Sequence, residues 1–425
     1  MPSSATILFA ALAASGTLAS PLVSRWGQNC TVKPLGPGQD DAPQILKAMG
    51  DCNNGGTVVL GAAGDVFNIS QRMTWNLQDV GIEWNGVLKT EIQSQATSLI
   101  ISGHNIHIDA HQTGGVDGSG QVFWSYYFNP ANNITKNDGD GRPIAFTIQH
   151  ASNVVVKDFH IWEPILWSSL IDASYNVTLD GMVVNATNTD PMGAGKNWTP
   201  NTDGFNTFRS DTISFKNWKV ICGDDCGAIK GNSTNIYVKD FACFGGNGFA
   251  FGSLGQYQDQ EDIVENVYIE NLAVSRIDSR VQPNMGNGIY MKTWVGVKNG
   301  EPPISGGGGT GRVHNVTVNN LFVGNATYAF QLYQTSGSAG ATSGLPGAGV
   351  DKNTSTLQFS DITFNNVFGL TTQPKAISVA CSPAAPCHGI TFNNVAVASN
   401  DGTVPSYSCS GNSDGRLFGI DTKCT

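Results

Sequence analysis

The chain has 425 residues, of which only 13% are charged, and carries a formal net charge of −10. That acidity argues against nucleic acid as a partner, and no stretch approaches the roughly 20 apolar residues a membrane helix needs. Fifty-one glycines and nine cysteines indicate a turn-rich protein of an oxidising compartment.

Residues 1–20 read as a signal peptide, leaving 21–425 as one domain. Ala5 to Ala14 is a short, nearly all-apolar run, and Ala19 or Ser20 supplies a small residue for cleavage. The expected location is therefore extracellular. Ten Asn-x-Ser/Thr acceptors agree with secretion: Asn29, Asn68, Asn133, Asn176, Asn185, Asn197, Asn232, Asn315, Asn325 and Asn353. The cysteines group into local loops, Cys30 with Cys52, Cys226 with Cys243, Cys381 with Cys387 and Cys409 with Cys424, which leaves Cys222 unpaired.

Asp41 to Met49 reads as a short helix placed to cover the end of a solenoid. From Asn105 onward one pattern recurs: a small polar residue, alternating β-formers, then Asn or Asp. It appears as N-V-V-V-K-D-F from Asn153, N-V-T-L-D-G-M from Asn176, D-T-I-S-F-K-N from Asp211 and N-I-Y-V-K-D-F from Asn235. Later copies start at Asn266, Asn315, Asp361 and Gly389. Alternation of Val, Ile, Thr and Phe specifies strands with every second side chain inward. Several copies lie about 22 to 25 residues apart, while others are near twice that or carry insertions, which specifies a repeat architecture. The Leu skeleton of a leucine-rich repeat is missing, and a propeller blade needs about four strands. An all-β, single-domain parallel β-helix fits best, with recurrent Asn stacking between coils.

Other signals are weaker. His104, His107 and His111 lack the Cys or carboxylate that completes a familiar metal site, and they read as strand and turn residues. Gly118-Ser119-Gly120 reads as a solenoid corner. Trp124, Trp162, Trp167 and Trp198 read as packing residues, whereas Trp294, near Lys292, is placed to stack on a ligand. Gly306 to Gly311 lacks the following Lys-Ser/Thr of a P-loop.

The carboxylates carry the chemical signal. Asp203 lies in N-T-D-G, Asp225 follows 22 residues later in G-D-D-C, and Asn247 another 22 later. Lys292 lies 45 further on, close to two coils. Residues one coil apart stack at a strand spacing of ~4.8 Å, so these four are expected on one face, with Asp224 beside Asp225. Crowded carboxylates raise one another's pKa. A protonated acid beside ionised ones is the equipment of glycoside hydrolysis.

The motifs N-T-D-G at 201–204, G-D-D-C at 223–226, G-G-x-G at 245–248 and the stretch around Lys292 resemble, in that order, the polygalacturonases of glycoside hydrolase family 28. The tract G-S-L-G-Q-Y at 252–257 is similar to the exo-acting branch. The resemblance implies a right-handed coil, inversion of configuration, and no metal or organic cofactor. It implies Asp224 as general acid and Asp203 and Asp225 as the pair that holds the attacking water, with roughly 6.5 to 9.5 Å between the carboxyls across the bond. It assigns substrate contacts to Lys292, Asn247, Tyr290 and Asn201.

Two positions depart from the pattern: Asn247 stands where the motif has His, and Tyr290 where it has Arg. Asn does not titrate near neutrality, and Tyr stacks but carries no charge. The rhamnogalacturonan-active members show similar departures. The expected activity is therefore release of terminal galacturonic acid from homogalacturonan or rhamnogalacturonan by a monomer. The alternative is hydrolysis at a rhamnose–galacturonate linkage. A pectate lyase or a non-catalytic binding solenoid fits the clustered acids less well. Insertions at 281–311 and 335–350 are placed to wall off a cleft. An acidic chain acting on an anionic polymer also requires a locally basic cleft.

Overall fold

The structure is a computed structural model and describes residues 27–90, 97–133, 141–302, 305–337, 353–420 and 422–425. The signal-peptide expectation for residues 1–20 lies outside the described residues, as does most of the 335–350 insertion. Twenty-five strands join through parallel pairing into one continuous ladder. The parallel crossovers wind right-handed, as L-residues favour.

One coil shows how the sequence makes the turn. Asp211–Ile221 is extended, bends at Asn217 where φ is 54°, and is followed by the strand Asp225–Ile229. Each coil thus contributes to three faces. On the first face Ile213, Phe215, Ile236, Val238, Val267 and Ile269 point inward and are buried. Each such burial is worth ~1.5–3 kcal/mol.

The recurrent Asn and Asp sit at the corners because that left-handed backbone suits short polar side chains. Their amides form two ladders along the coil axis. At one corner Nδ2 of Asn153 donates to Asn105, Asn176 to Asn153, Asn266 to Asn235 and Asn315 to Asn266, at 3.1, 2.7, 3.0 and 2.8 Å. At the next corner Asn271, Asn320, Asn366 and Asn394 do the same. Ladder membership bears on the acceptor sequences. Nδ2 of Asn176 and of Asn315 is committed to the ladder, and Nδ2 of Asn197 donates to Gly223 O at 2.8 Å. Glycopeptide mass spectrometry of the secreted protein is expected to find these three unmodified and the exposed Asn29 and Asn232 occupied. Full occupancy at Asn176 or Asn315 contradicts this assignment of the acceptors.

The N-terminal end is closed as expected. Helix Ala42–Asp51 packs Ala42, Ile45, Ala48 and Met49 onto the first coil, and the Cys30–Cys52 disulfide ties its end to strand Asn29–Val32. Cys226–Cys243, Cys381–Cys387 and Cys409–Cys424 are bonded, and Cys222 is free and buried. One feature differs from expectation: the corner at 118–120 leads into a second helix, Gly120–Tyr127. Coil length varies as the spacing of the copies does: Ile213 faces Ile236, 23 residues on, but Ile236 faces Val267 and Val267 faces Val316, 31 and 49 residues on. No helix among the described residues is long and apolar enough to cross a membrane.

Candidate active site

The three aspartates arrive on two neighbouring coils. Asp203 precedes strand Asn206–Phe208 and Asp225 opens strand Asp225–Ile229. Asn206 faces Ala228, an offset of 22, and Gly204 N donates to Asp225 O at 2.9 Å. Asp203 and Asp225 are 3% and 2% exposed, while Asp224 is half-buried at the turn. The turn is pinned on both sides. Cys226–Cys243 fixes it from within the core. Gly246, with φ of 76°, passes so close that a Cβ there would lie 2.1 Å from Asp224 O. Below lies an aromatic stack in which Phe205 and Phe215 have ring centroids 3.7 Å apart.

Each carboxylate has its own surroundings. Asp224 Oδ1 accepts Asn247 Nδ2 at 2.7 Å, and its Oδ2 accepts both the backbone N and Nδ2 of Asn201, at 3.1 and 3.2 Å. Those donors favour the carboxylate, but burial, and then the Asp225 charge, prevail and push Asp224 up to about 6. Burial, Asp224 and Asp225 raise Asp203 well above the usual carboxylate range. Asp225 accepts the Tyr290 hydroxyl on Oδ1 and pairs through Oδ2 with Lys292 Nζ at 3.2 Å, and Lys292 Nζ lies 2.9 Å from the Tyr290 oxygen. Burial works against the Lys292 charge, but Asp225 outweighs it and the pKa is raised. The arrangement is a proton-holding acid, fixed by three donors, beside a carboxylate tied to a cation.

Register differs from the expected column. Asp225 faces Gly248, and Asn247 N donates to Asp224 O at 2.8 Å, so Asn247 stacks on Asp224 rather than on Asp225. An irregularity between Asp225 and Gly227 causes the slip. Lys292 is not in that column either. Its place is taken by Asn287, whose N and Nδ2 donate to Asn247 O at 2.9 and 3.1 Å. Lys292 faces Tyr333 and reaches the acids by its length. Trp294 is 3% exposed and does not present a ring for stacking. Tyr290 is likewise 3% exposed and enters the site through its hydroxyl rather than its face.

Two residues, Arg142 and Lys230, join the site unannounced, and Trp167, expected only to pack, joins with them. Arg142, 5% exposed, donates to Pro200 O and to Asn201 Oδ1, both at 3.0 Å, and so fixes the residue that fixes Asp224. Lys230 follows strand Asp225–Ile229 and lies 4.8 Å from the ring of the half-buried Trp167. The only sequence signal for Lys230 was its position two residues beyond Ala228, as Lys292 is two beyond Tyr290. The insertions close in nearby. Gln282 Nε2 donates to Asn197 Oδ1 at 3.1 Å, and Gly307 N and Gly309 N donate to Gln256 O and Gly255 O at 2.7 and 3.1 Å.

Crowding three acids costs stability. The raised Asp203 pKa means that the unfolded chain, near pKa 3.9, ionises first as pH rises. Stability is then lost progressively from about pH 4 up to the folded value. Asp203→Asn is therefore expected to stabilise the fold at pH 7 by about 0.5–2 kcal/mol while abolishing turnover. Thermal melts of both proteins check it, and a lower melting point for the variant contradicts the electrostatic reading.

Residues 56–415 match the model of glycosyl hydrolases family 28. A protein of Aspergillus niger named "Putative galacturan 1,4-alpha-galacturonidase A" is 37% identical over 93% of this chain and 94% of its own. Alpha-L-rhamnosidase rgxB of the same species is 32% identical over 91% and 88%. Among solved structures, the endo-xylogalacturonan hydrolase of Aspergillus tubingensis superposes with a TM-score of 0.72 at 22% identity, covering 94% of this chain and 99% of that one. The acid cluster on its parallel coils thus has a family: the chain belongs to glycosyl hydrolases family 28 and is a glycoside hydrolase.

Proposed function

We propose that the protein is a secreted, monomeric, exo-acting hydrolase of pectin that removes terminal galacturonic acid with inversion. The observation that carries this reading is Asp224, held by Asn201 and Asn247 and pushed up to about 6 beside two further carboxylates. Asp224 gives its proton to the glycosidic oxygen as that bond breaks. Water held by Asp203 and Asp225 attacks the anomeric carbon from the opposite face and loses its proton to one of them. Exo action is supported by the loop at 281–285, whose Gln282 donates to Asn197 beside the Asp224 turn, and by the galacturonidase relative.

A second reading, cleavage at a rhamnose linkage, is favoured by Asn247 and Tyr290 in place of His and Arg and by the rhamnosidase relative. Oligogalacturonates and rhamnogalacturonan oligomers separate the two. Monomeric galacturonate as the first product, appearing as the inverted anomer by NMR, is the expected result. Free rhamnose selects the second reading, mixed oligomers overturn exo action, and ultraviolet-absorbing unsaturated uronides overturn hydrolysis.

A further inference from the structure

Away from the acids, strands Val87–Thr90, Gly115–Asp117, His160–Trp162 and Val183–Asn185 pair in parallel on the early coils. Ile161 and Val184 point inward and are fully buried, so Trp162 and Asn185 point out. Lys89, Asp117, Trp162 and Asn185 stand on four successive rungs, each ~4.8 Å from the next. With Glu163 and Thr187 they line a groove of about 570 Å³. The half-buried Trp162 is held by His160, whose ring lies 5.0 Å away and nearly edge-on. Asn185 opens an Asn-Ala-Thr acceptor. Its Oδ1 accepts Thr187 N and Oγ1 at 3.1 and 2.6 Å. Its Nδ2 makes no hydrogen bond among the described residues and still reaches solvent, whereas Nδ2 of Asn176, Asn197 and Asn315 is committed.

We propose that Asn185 carries an N-linked glycan whose first sugars lie back in this groove, stacked on Trp162. The inference rests on the secreted reading above. The glycan is added as the chain enters the secretory route, before the coils wind. Asn185 Nδ2 loses a proton and bonds to C1 of the first N-acetylglucosamine. The bond from C1 to a lipid pyrophosphate breaks, and the lipid pyrophosphate leaves. In the wound chain that sugar emerges one rung from an indole, whose negative face attracts the C–H groups of a pyranose. The polar lining suits a neutral glycan. Asp117 Oδ1 and Glu163 Oε2 accept Ser119 N and Gln121 N, which leaves one oxygen of each carboxylate for a sugar hydroxyl. Lys89 makes no ion pair among the described residues and can donate to another. Two carboxylates against one ammonium disfavour a uronate chain in the same place.

Glycopeptide mass spectrometry of the protein secreted by a eukaryotic host tests the site. Digestion of the folded protein by an endoglycosidase that cuts between the first two sugars tests the seat. Asn185 is expected to be occupied. Its glycan should be released about five- to tenfold more slowly than that on the exposed Asn29 or Asn232, because stacking hides the cut for most of the time. Trp162→Ala should bring the rates together, and Trp162→Phe should keep most of the difference. In thermal melts, Trp162→Ala is expected to lower the melting point by about 1–3 °C more in the glycosylated protein than in the Asn185→Gln background. An unmodified Asn185 in a protein glycosylated at Asn29 or Asn232 overturns the site. A glycan on Asn185 released as fast as the others, with additive melts, overturns the seat. Protein retained in the cell and bearing no glycan overturns the secreted reading instead.

Discussion

Asp224→Asn is expected to lower kcat by about 10²–10⁴-fold while the protein stays folded. General acid catalysis contributes that range, which corresponds to about 3–5 kcal/mol of barrier. The fold has little reason to object. Asparagine has the same shape, and its oxygen still accepts from Asn201 or Asn247, whose donors now meet at Asp224. Losing one negative charge also relieves Asp203 and Asp225. The acid role has a signature that mere positioning lacks. A galacturonide carrying a leaving group of low pKa needs no proton from the enzyme, so the variant should recover much of its rate on it. Equal losses on natural and activated substrates sink the assignment, as does a loss of less than about tenfold on the natural one.

Most of the architecture was readable because the constraints that make it are local. Each corner needs a left-handed backbone, so Asn and Asp recur there, and the same residues then stack: Asn235, Asn266 and Asn315 declared both the turn and the ladder. The cysteine pairs were readable for the same reason, since each closes a short loop. The triad was readable because the coil between Asp203 and Asp225 carries no insertion. Counting failed where an insertion intervened. The coil from Asn247 to Asn287 is 40 residues, so a count of 45 to Lys292 overshot its column by five. A β-bulge moved Asn247 from Asp225 to Asp224. Arg142 and Trp167 lie on coils before the motifs, and no short pattern ties them to Asn201 or Lys230; only the wound chain brings them together.

Asn247 gives the pH dependence a direction that can be checked. Asp224 must hold its proton to act as the acid, and it is pushed up to about 6. Activity is therefore expected to fall by roughly tenfold per unit above that pH. Burial and then Asp225 raise this pKa, whereas the Asn201 and Asn247 donors lower it. Asn247→Ala removes a donor that favours the charged form, so the alkaline limb should move upward by roughly one unit. A hydrogen bond to a charged group is worth about 1.5 kcal/mol or more, and 1.36 kcal/mol is one unit. Asn247→His should act the opposite way, because an imidazolium beside Asp224 favours its carboxylate and draws the limb to lower pH. Rate profiles of the three proteins on one oligogalacturonate decide the matter. If the alanine and histidine variants share the wild-type limb, the proton lost near pH 6 does not belong to Asp224, and the acid must be sought elsewhere in the cluster.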